Sequence, residues 1–423
     1  MVIKEGVDIM IKKICLSVVF VIFFTSVCSG IDWPGFRGIN RDGKSSETGL
    51  LKKWPDTGPK LLWSVDGLGK GYASVSIADG CVYTTGMIGK DKTATLFAFD
   101  VNGNAKWNAA FGRAWSDDHG GTRTTPTIDG DRIYVMSGHG NAACFKAKDG
   151  KPVWQVDTMA KFGAQQTSWG ISESVLICGN KAICTPGGTV ATIVALDKMT
   201  GKTIWTTKGL SDKSAHCSAR IMEHGGKKLI LTVTDTHIVC LDSVDGTVMF
   251  KQVNKMHERK GIPRHVNPNS PVICGSDIYV TSRFTGGVKL RVNESATEVS
   301  ELWWDKTLDV HHGAVVLVDG LIFGGAADRG LWVCLDWETG DVVWRQKWKK
   351  KGSIISADGM LYCYADADGT VALVKPSRKS FEIVSSFKIT QGDDNHWSHP
   401  AISDGRLYIR HGDALMAYDI KDR

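Results

Sequence analysis

From residue 60 onward the chain alternates short apolar stretches with polar turns. No stretch there keeps the spacing of an amphipathic helix. Ile77-Ala78-Asp79-Gly80-Cys81-Val82-Tyr83 is typical, with β-formers on both sides of an Asp-Gly pair. The arrangement returns as Ile128-Asp129-Gly130-Asp131-Arg132-Ile133-Tyr134 and as Ile402-Ser403-Asp404-Gly405-Arg406-Leu407-Tyr408. Asp-Gly in this setting predicts a hairpin, because glycine accepts the positive φ of a tight two-residue turn. A second phrase follows the hairpins. It is clearest as Ala195-Leu196-Asp197-Lys198-Met199-Thr200-Gly201-Lys202-Thr203-Ile204-Trp205, and it recurs from Cys334 to Trp344. Weaker copies run from Cys240 to Phe250, Cys144 to Trp154 and Ala98 to Trp107. The Ala/Cys-Leu-Asp part predicts a third strand, the Thr-Gly part a turn, and the closing aromatic a fourth strand.

The closing aromatics fall at Trp63, Trp107, Trp154, Trp205, Phe250, Trp304, Trp344 and Phe387, with steps of 44, 47, 51, 45, 54, 40 and 43 residues. A period of roughly 40–50 residues built from short strands is that of β-propeller blades. Eight units are present. The last, His396 to Ile420, has three strands and lacks a closing Trp, whereas Lys60–Val65 is a spare strand at the other end. The expected fold is therefore all-β. It is an eight-bladed propeller of four-stranded antiparallel blades over residues 60–423, its last blade closed by the N-terminal strand, which removes a free sheet edge. Residues 31–59 read as an irregular segment packed on the propeller. Trp63, Trp107, Trp154, Trp205, Trp304 and Trp344 are expected to wedge between neighbouring blades, where a large ring buries about 150–250 Å².

Composition adds a compartment. Lys12-Lys13 precede the apolar run Ile14–Val27, and Ser29-Gly30 supply small residues, so residues 1–30 read as a cleaved secretory signal. Met10 is an alternative start. Cys28 is an alternative lipid attachment point, although Thr25-Ser26-Val27 is a poor match to a lipidation site. No later segment is long and apolar enough to span a membrane. Nine of the eleven cysteines lie beyond residue 30, and Cys144, Cys240 and Cys334 share a position that Ala98, Ala195 and Ala417 fill in other units. A small buried slot accounts for them better than a disulfide framework. Cys178 and Cys184 are the one close pair that spans a single hairpin. No Cys/His spacing matches a zinc or c-type haem site. The formal net charge is +6, with local basic runs at Lys347–Lys351 and Lys255–Arg264. No aromatics interleave with them at regular spacing, so they read as solvated loops, with binding to an anionic polymer or membrane surface as the alternative; nucleic acid is not expected for a secreted propeller.

The Ala-x-Asp-x-x-x-Gly-x-x-x-Trp phrase resembles the tryptophan-docking repeat of the quinoprotein alcohol dehydrogenase-like propellers, over about residues 60–420. Trp33-Pro34-Gly35-Phe36-Arg37-Gly38 with Arg41-Asp42-Gly43, and Ser172-Glu173-Ser174 followed by Thr185-Pro186-Gly187-Gly188, resemble secreted bacterial PQQ-like propellers of unassigned role. The resemblance implies one of two functions. One is a non-catalytic propeller that binds a protein or small polar ligand, as does a lipoprotein of this family that helps assemble outer-membrane proteins. The other is an alcohol or sugar dehydrogenase dependent on pyrroloquinoline quinone (PQQ) and Ca²⁺. Hydrolytic or lyase action on a carbohydrate is a third class.

Ligand faces of propellers are usually built by loops next to the innermost strands. The residues before those strands are therefore the candidates: Tyr72, His119, Arg123, Trp169, Glu173, His216, Asn267, His311, His312, His396, Trp397 and His399. Seven of the twelve histidines fall in these short segments, counting His265. Together they predict a polar, aromatic-walled funnel. Its imidazoles are expected to titrate near neutral pH, so that binding of an anionic or polyhydroxyl ligand weakens as pH rises. For a dehydrogenase, Glu173 with Asn267 or Asn269 would hold the cation. The adjacent-cysteine wall of the family's alcohol dehydrogenases is absent, and carboxylates are sparse. Both features favour the binding propeller. No metal ligand set stands out.

Overall fold

The computed structural model describes residues 32–423 except 257, 259–265 and 328–329. The secretory segment, Cys28, Arg259, Lys260, Arg264 and His265 lie outside the described residues.

Eight antiparallel sheets form an eight-bladed β-propeller. Blade 1 shows the pattern: Ser76–Ala78 is innermost, followed outward by Cys81–Ile88, Thr93–Asp100 and Ala105–Arg113. Its inner hairpin turns at Asp79-Gly80, both with positive φ (49° and 69°), as the sequence predicts. Blade 8 contains Ala401–Ser403, Arg406–His411 and Ala414–Asp419, and Lys60–Val65 pairs with the last of these as its outer strand. The N-terminal strand thus closes the ring.

Each closing aromatic sits opposite the small residue of its repeat. Trp107 faces Ala98, Trp154 faces Cys144, Trp205 faces Ala195, Phe250 faces Cys240, Trp344 faces Cys334 and Trp63 faces Ala417. A bulge follows in every case. In every case but Phe250 an indole then reaches the next blade, where its Nε1 donates to a turn carbonyl. Trp107 reaches Ala147 at 3.1 Å and Trp154 reaches Lys198 at 2.9 Å. The turn glycine lies flat against the ring, and a Cβ on Gly150 would sit 2.4 Å from Trp107. This close approach explains the glycine of the repeat.

Two aromatic positions differ from expectation. In blade 5 the docking ring is Trp303, which faces Lys289 just before the bulge and donates to Trp337 O at 3.2 Å. Trp304 points to the other side of the strand and bonds Thr285 O within its own blade. The residue opposite is Lys289 where other blades have Ala or Cys, which hides the register in the sequence. In blade 7 the docking position is Ser385, opposite Leu373, and Phe387 lies two residues beyond it. Trp54, from the N-terminal segment, fills the vacancy. Its backbone N–H donates to Ser385 Oγ, and its ring packs on Tyr362 and Phe387 at 5.9 and 5.2 Å.

Apolar clusters sit between successive blades, and the one joining blades 7, 8 and 1 also takes in Trp33, Leu50 and Trp54. The nine described cysteines are all unpaired, Cys178 and Cys184 included. Cys144, Cys240 and Cys334 are buried. A short helix, Thr158–Phe162, connects blades 2 and 3, capped by the Asp157 side chain.

The segment before Lys60 does more than pack on the outside. It crosses the central channel. Trp33 bridges to Ile77 of blade 1, Pro34 O accepts from Ile128 N of blade 2, and Lys44–Ser45 adds a parallel strand inside Gly352–Ala357 of blade 7. Arg37 and Arg41 point to opposite sides. Arg37 donates to Ile354 O (3.0 Å) and Val315 O (2.6 Å) of blades 7 and 6. Arg41 donates to Ser174 O (3.0 Å), Val175 O and Ala219 O (3.1 Å), just before the inner strands of blades 3 and 4. The segment is a plug tied to the inner ends of the blades. Both arginines have positive φ (62° and 53°), a cost that these buried bonds offset.

Candidate functional site

Chain direction fixes one face. The segments entering every inner strand lie at one mouth of the channel, and the Asp-Gly turns at the other. At the entry mouth is a funnel of about 930 Å³, open to solvent. Nine of the twelve candidates line it: Tyr72, His119, Arg123, Trp169, His216, His311, His312, Trp397 and His399. They come from six different blade entries, which rotation about one axis brings together. Phe36, Ser172, Ser218, Val266, Pro268 and Arg283 complete the lining.

Trp397 is the hub. Its ring meets Tyr72 (4.9 Å), His119 (4.9 Å), His312 (5.0 Å) and His311 (6.5 Å). The Lys351 ammonium lies 5.8 Å above it. Across the funnel Trp169 packs on His216 at 5.7 Å and donates from Nε1 to Asp118 Oδ2 at 3.2 Å. Trp169, His119 and Asp394 all have positive φ (67°, 55° and 68°). Such strain in non-glycine residues clusters at binding and catalytic sites.

The floor is Phe36 of the plug, edge-on to His399 at 5.0 Å. Arg37 NH1 lies 3.2 Å from His399 Nδ1, and His399 Nε2 lies 2.8 Å from His312 O. A guanidinium only donates and a carbonyl only accepts, so His399 is the neutral ring protonated at Nε2. Plug and funnel are therefore joined by a chain of hydrogen bonds.

The electrostatics differ from the expectation of a titrating histidine cluster. Burial, with Lys351 and Arg283 nearby, lowers His311 to about 2. Burial and His311 hold His312 well below the usual range, and burial with Arg37 lowers His399 to about 3. These rings are neutral at neutral pH. Lys351 Nζ donates to His311 Nδ1 at 2.8 Å. Positive charge comes instead from Arg123, Arg283 and Lys351. Arg123 stays charged although burial lowers it to about 10. Its NH1 donates to Gly121 O at 3.0 Å, and its guanidinium lies 5.7 Å from the Tyr72 ring centre. The Asp118, Asp394 and Asp366 carboxylates are engaged by Trp169 Nε1, Tyr72 Oη and Lys351. None of the described lining residues is a carboxylate.

Three candidates lie elsewhere. Glu173 is fully buried, and its two oxygens accept from Thr185 N (2.7 Å) and Thr185 Oγ1 (3.1 Å). Asn267 Nδ2 donates to Thr234 O and Asp235 O. His396 is stacked on His411 at 3.7 Å and bonded to Tyr364 Oη at 2.7 Å. Asn269 likewise holds strand ends, donating to Thr281 O, Val310 O and His311 O and accepting from Ala314 N. The oxygens meant for a calcium ion are thus used inside the protein. The described residues do not fit that cation, and no group of three or more metal-ligating side chains occurs among them.

Sequence reasoning missed Arg283, Lys351 and Phe36 as parts of the site. Arg283 follows the second strand of blade 5, and two antiparallel strands return the chain to the face it left. That rule would have found it. Lys351 immediately precedes the inner strand of blade 7, where it was read as part of a solvated basic run. Phe36 comes from the plug, more than 360 residues from Trp397 and His399 in sequence.

Comparison with known proteins accords with this architecture. The profile of the family described as outer membrane protein assembly factor BamB matches residues 92–346 and 300–379. Among solved structures, BamB from Moraxella catarrhalis is similar at 14% identity and a TM-score of 0.60, covering 85% of this chain and 99% of its own. Quinohemoprotein alcohol dehydrogenase from Comamonas testosteroni is similar at 12% identity and a TM-score of 0.65, covering 93% of this chain and 81% of its own. A europium-containing methanol dehydrogenase is similar at 13% identity and a TM-score of 0.52, covering 81% and 89%. Identities this low establish a shared fold alone. Comparison with curated proteins gives no match. The chain is a PQQ-like repeat propeller and belongs to the family described as outer membrane protein assembly factor BamB.

Proposed function

We propose that this propeller is an exported, non-catalytic binding protein whose funnel takes a small anionic molecule with a flat or polyhydroxyl body. The observation that carries this reading is the lining itself. Aromatic rings from Trp169, Trp397, Tyr72 and Phe36 surround the guanidiniums of Arg123 and Arg283, with no carboxylate among the described lining residues. Rings provide flat apolar contact, and arginine forks pair with carboxylate or phosphate oxygens. Membership in a family described as an assembly factor supports binding over turnover. Export rests on the charged-then-apolar order of residues 12–30.

One observation favours a second reading. The same rings and arginines suit PQQ, a flat molecule with several carboxylates. Bound there, PQQ would supply a redox-active quinone. Arg123 and Arg283 would then hold its carboxylates, and Trp169 or Trp397 its face. Among the described residues the dehydrogenase reading finds neither a fitting calcium site nor a lining carboxylate to take the alcohol proton.

Tryptophan fluorescence separates the two. Gluconate, glucuronate and sugar phosphates should quench or shift emission saturably, whereas neutral sugars should act only at far higher concentration. Arg123→Gln should weaken the anions about tenfold, the scale of one charge-assisted hydrogen bond. Dye reduction by an alcohol after addition of PQQ and Ca²⁺ would overturn the non-catalytic reading.

A further inference from the structure

The wall of the funnel is not equally high all round. It is made by the links that carry the chain from the outer strand of one blade to the inner strand of the next. Residues 114–126, 158–175, 207–219 and 389–400 link into blades 2, 3, 4 and 8. By contrast, 306–309 and 348–351 suffice for blades 6 and 7. A link of four residues spans at most about 14 Å, enough to cross the strand spacings of one blade and no more. The wall is therefore low at blades 6 and 7, and a ligand longer than the funnel is deep has its exit there.

The link into blade 7 also differs in composition. With the last residue of the outer strand before it, it reads Lys347-Trp348-Lys349-Lys350-Lys351, running from the rim of the ring inward to the funnel. Lys351 ends it beside the hub ring of Trp397. Trp348 is half-buried, its ring against Trp332 and Phe381 at 5.6 and 5.5 Å. Lys349 and Lys350 both have positive φ (45° and 64°), and the buried Trp332 donates from Nε1 to Lys350 O at 2.9 Å. Two successive non-glycine residues in this conformation are costly, and they persist where the surroundings hold them.

The described carboxylates on this side are Asp305, Asp309, Asp366 and Asp368. Asp305 and Asp309 are buried and accept the backbone N–H groups of Thr307, Leu308 and Phe284. Asp366 pairs with Lys351 at 3.4 Å, and Asp368 with Lys349 at 2.8 Å. Lys350 feels Asp366 through longer-range attraction. Lys306, Lys347 and Lys350 are exposed, and none forms an ion pair among the described residues. The low side of the funnel thus carries ammonium groups that face solvent, next to a half-buried indole.

We propose that the funnel holds the end unit of an acidic oligosaccharide, and that its next units leave over the low wall along Lys350, Trp348 and Lys347. Ammonium groups on flexible stems suit carboxylates spaced along such a chain, and an indole offers a flat face to a sugar ring. This deepens, and rests on, the reading of the funnel as a site for an anion with a polyhydroxyl body.

Isothermal titration of the full-length protein with galacturonate and with its linear oligomers of two to six units, at constant ionic strength, tests this. Affinity should rise with added units and then level off, by about tenfold in all, the scale of two exposed ion pairs. Lys347→Gln combined with Lys350→Gln, both at exposed positions, should bind galacturonate as wild type does but lose the gain with length. Lys106→Gln combined with Lys148→Gln, an equal change of charge at exposed positions on the opposite face, should keep the gain. Galacturonate binding that does not improve with length overturns this proposal and leaves the funnel reading standing. So does a gain that survives in the Lys347 and Lys350 variant, or one lost equally in the control. Failure of every length, galacturonate included, overturns both. A single-stranded oligonucleotide that gains as steeply with length would reveal a track for any polyanion and overturn the assignment to a sugar.

Discussion

Glu173 shows how far burial changes a side chain that sequence position assigns to the funnel and to a cation. Burial raises its carboxyl from an ordinary 4.5 to about 7, against the bonds from Thr185 and the attraction of Arg41. Folded protein therefore holds this proton over a range where unfolded protein has released it. Its contribution to stability is greatest below about 4.5 and declines as pH rises towards 7. Glu173→Gln cannot ionise, so urea midpoints should favour the variant over wild type more at pH 8 than at pH 5. Parallel pH profiles would contradict the assignment. The lowered histidines have the opposite sign. His311, His312, His396 and His399 stay neutral when folded, and their contribution is lost as pH falls below about 6.5, where the unfolded rings take up protons. Sequence position placed His311, His312 and Trp397 correctly at the mouth. It could not place Glu173, because in the irregular segment before the inner strand Ser172 lines the funnel while Glu173 next to it is buried. Nor could it anticipate Lys289, fully buried in a slot that other blades reserve for Ala or Cys. Its ammonium sits 3.0 Å from Asp277 and 4.4 Å from the Trp337 ring.

At the scale of elements, the blade was legible because it is repeated. Asp-Gly turns, small-residue slots and docking rings each appear several times, so one weak copy is corrected by the others. The irregular copies were misread for a physical reason. A strand changes face at every residue, so a one-residue error chooses Trp304 over Trp303. The docking ring of blade 7 is supplied from another part of the chain, which no local pattern can reveal. Trp54→Ala should then cost roughly 3–5 kcal/mol, the usual range for a buried aromatic cut to alanine. Chemical denaturation checks it. A loss within about 0.5 kcal/mol, typical of an ordinary surface position, would show that Ser385 needs no borrowed ring.

At the scale of the molecule, the ring closes through Lys60–Val65 in blade 8, and Trp63 Nε1 continues to Val101 O of blade 1 at 2.8 Å. Trp63→Ala should open that one seam. Hydrogen–deuterium exchange should then quicken in blades 8 and 1 and stay unchanged in blade 4, since local openings follow cooperative units. Uniform quickening would mean that the ring opens as a whole. The plug has a related consequence. Its Arg37 meets His399, 362 residues away, and Leu50 bridges to Lys421. Contacts of such long range form late and slowly. Synthesis therefore runs against assembly: the segment made first must wait for the segment made last. A chain that stops short of residue 399 has no final blade for Lys60–Val65 to join, and no His399 for the plug to grip. Truncation at almost any point leaves the beginning of the chain unanchored, so an incomplete molecule carries the mark of its incompleteness at its own N-terminus.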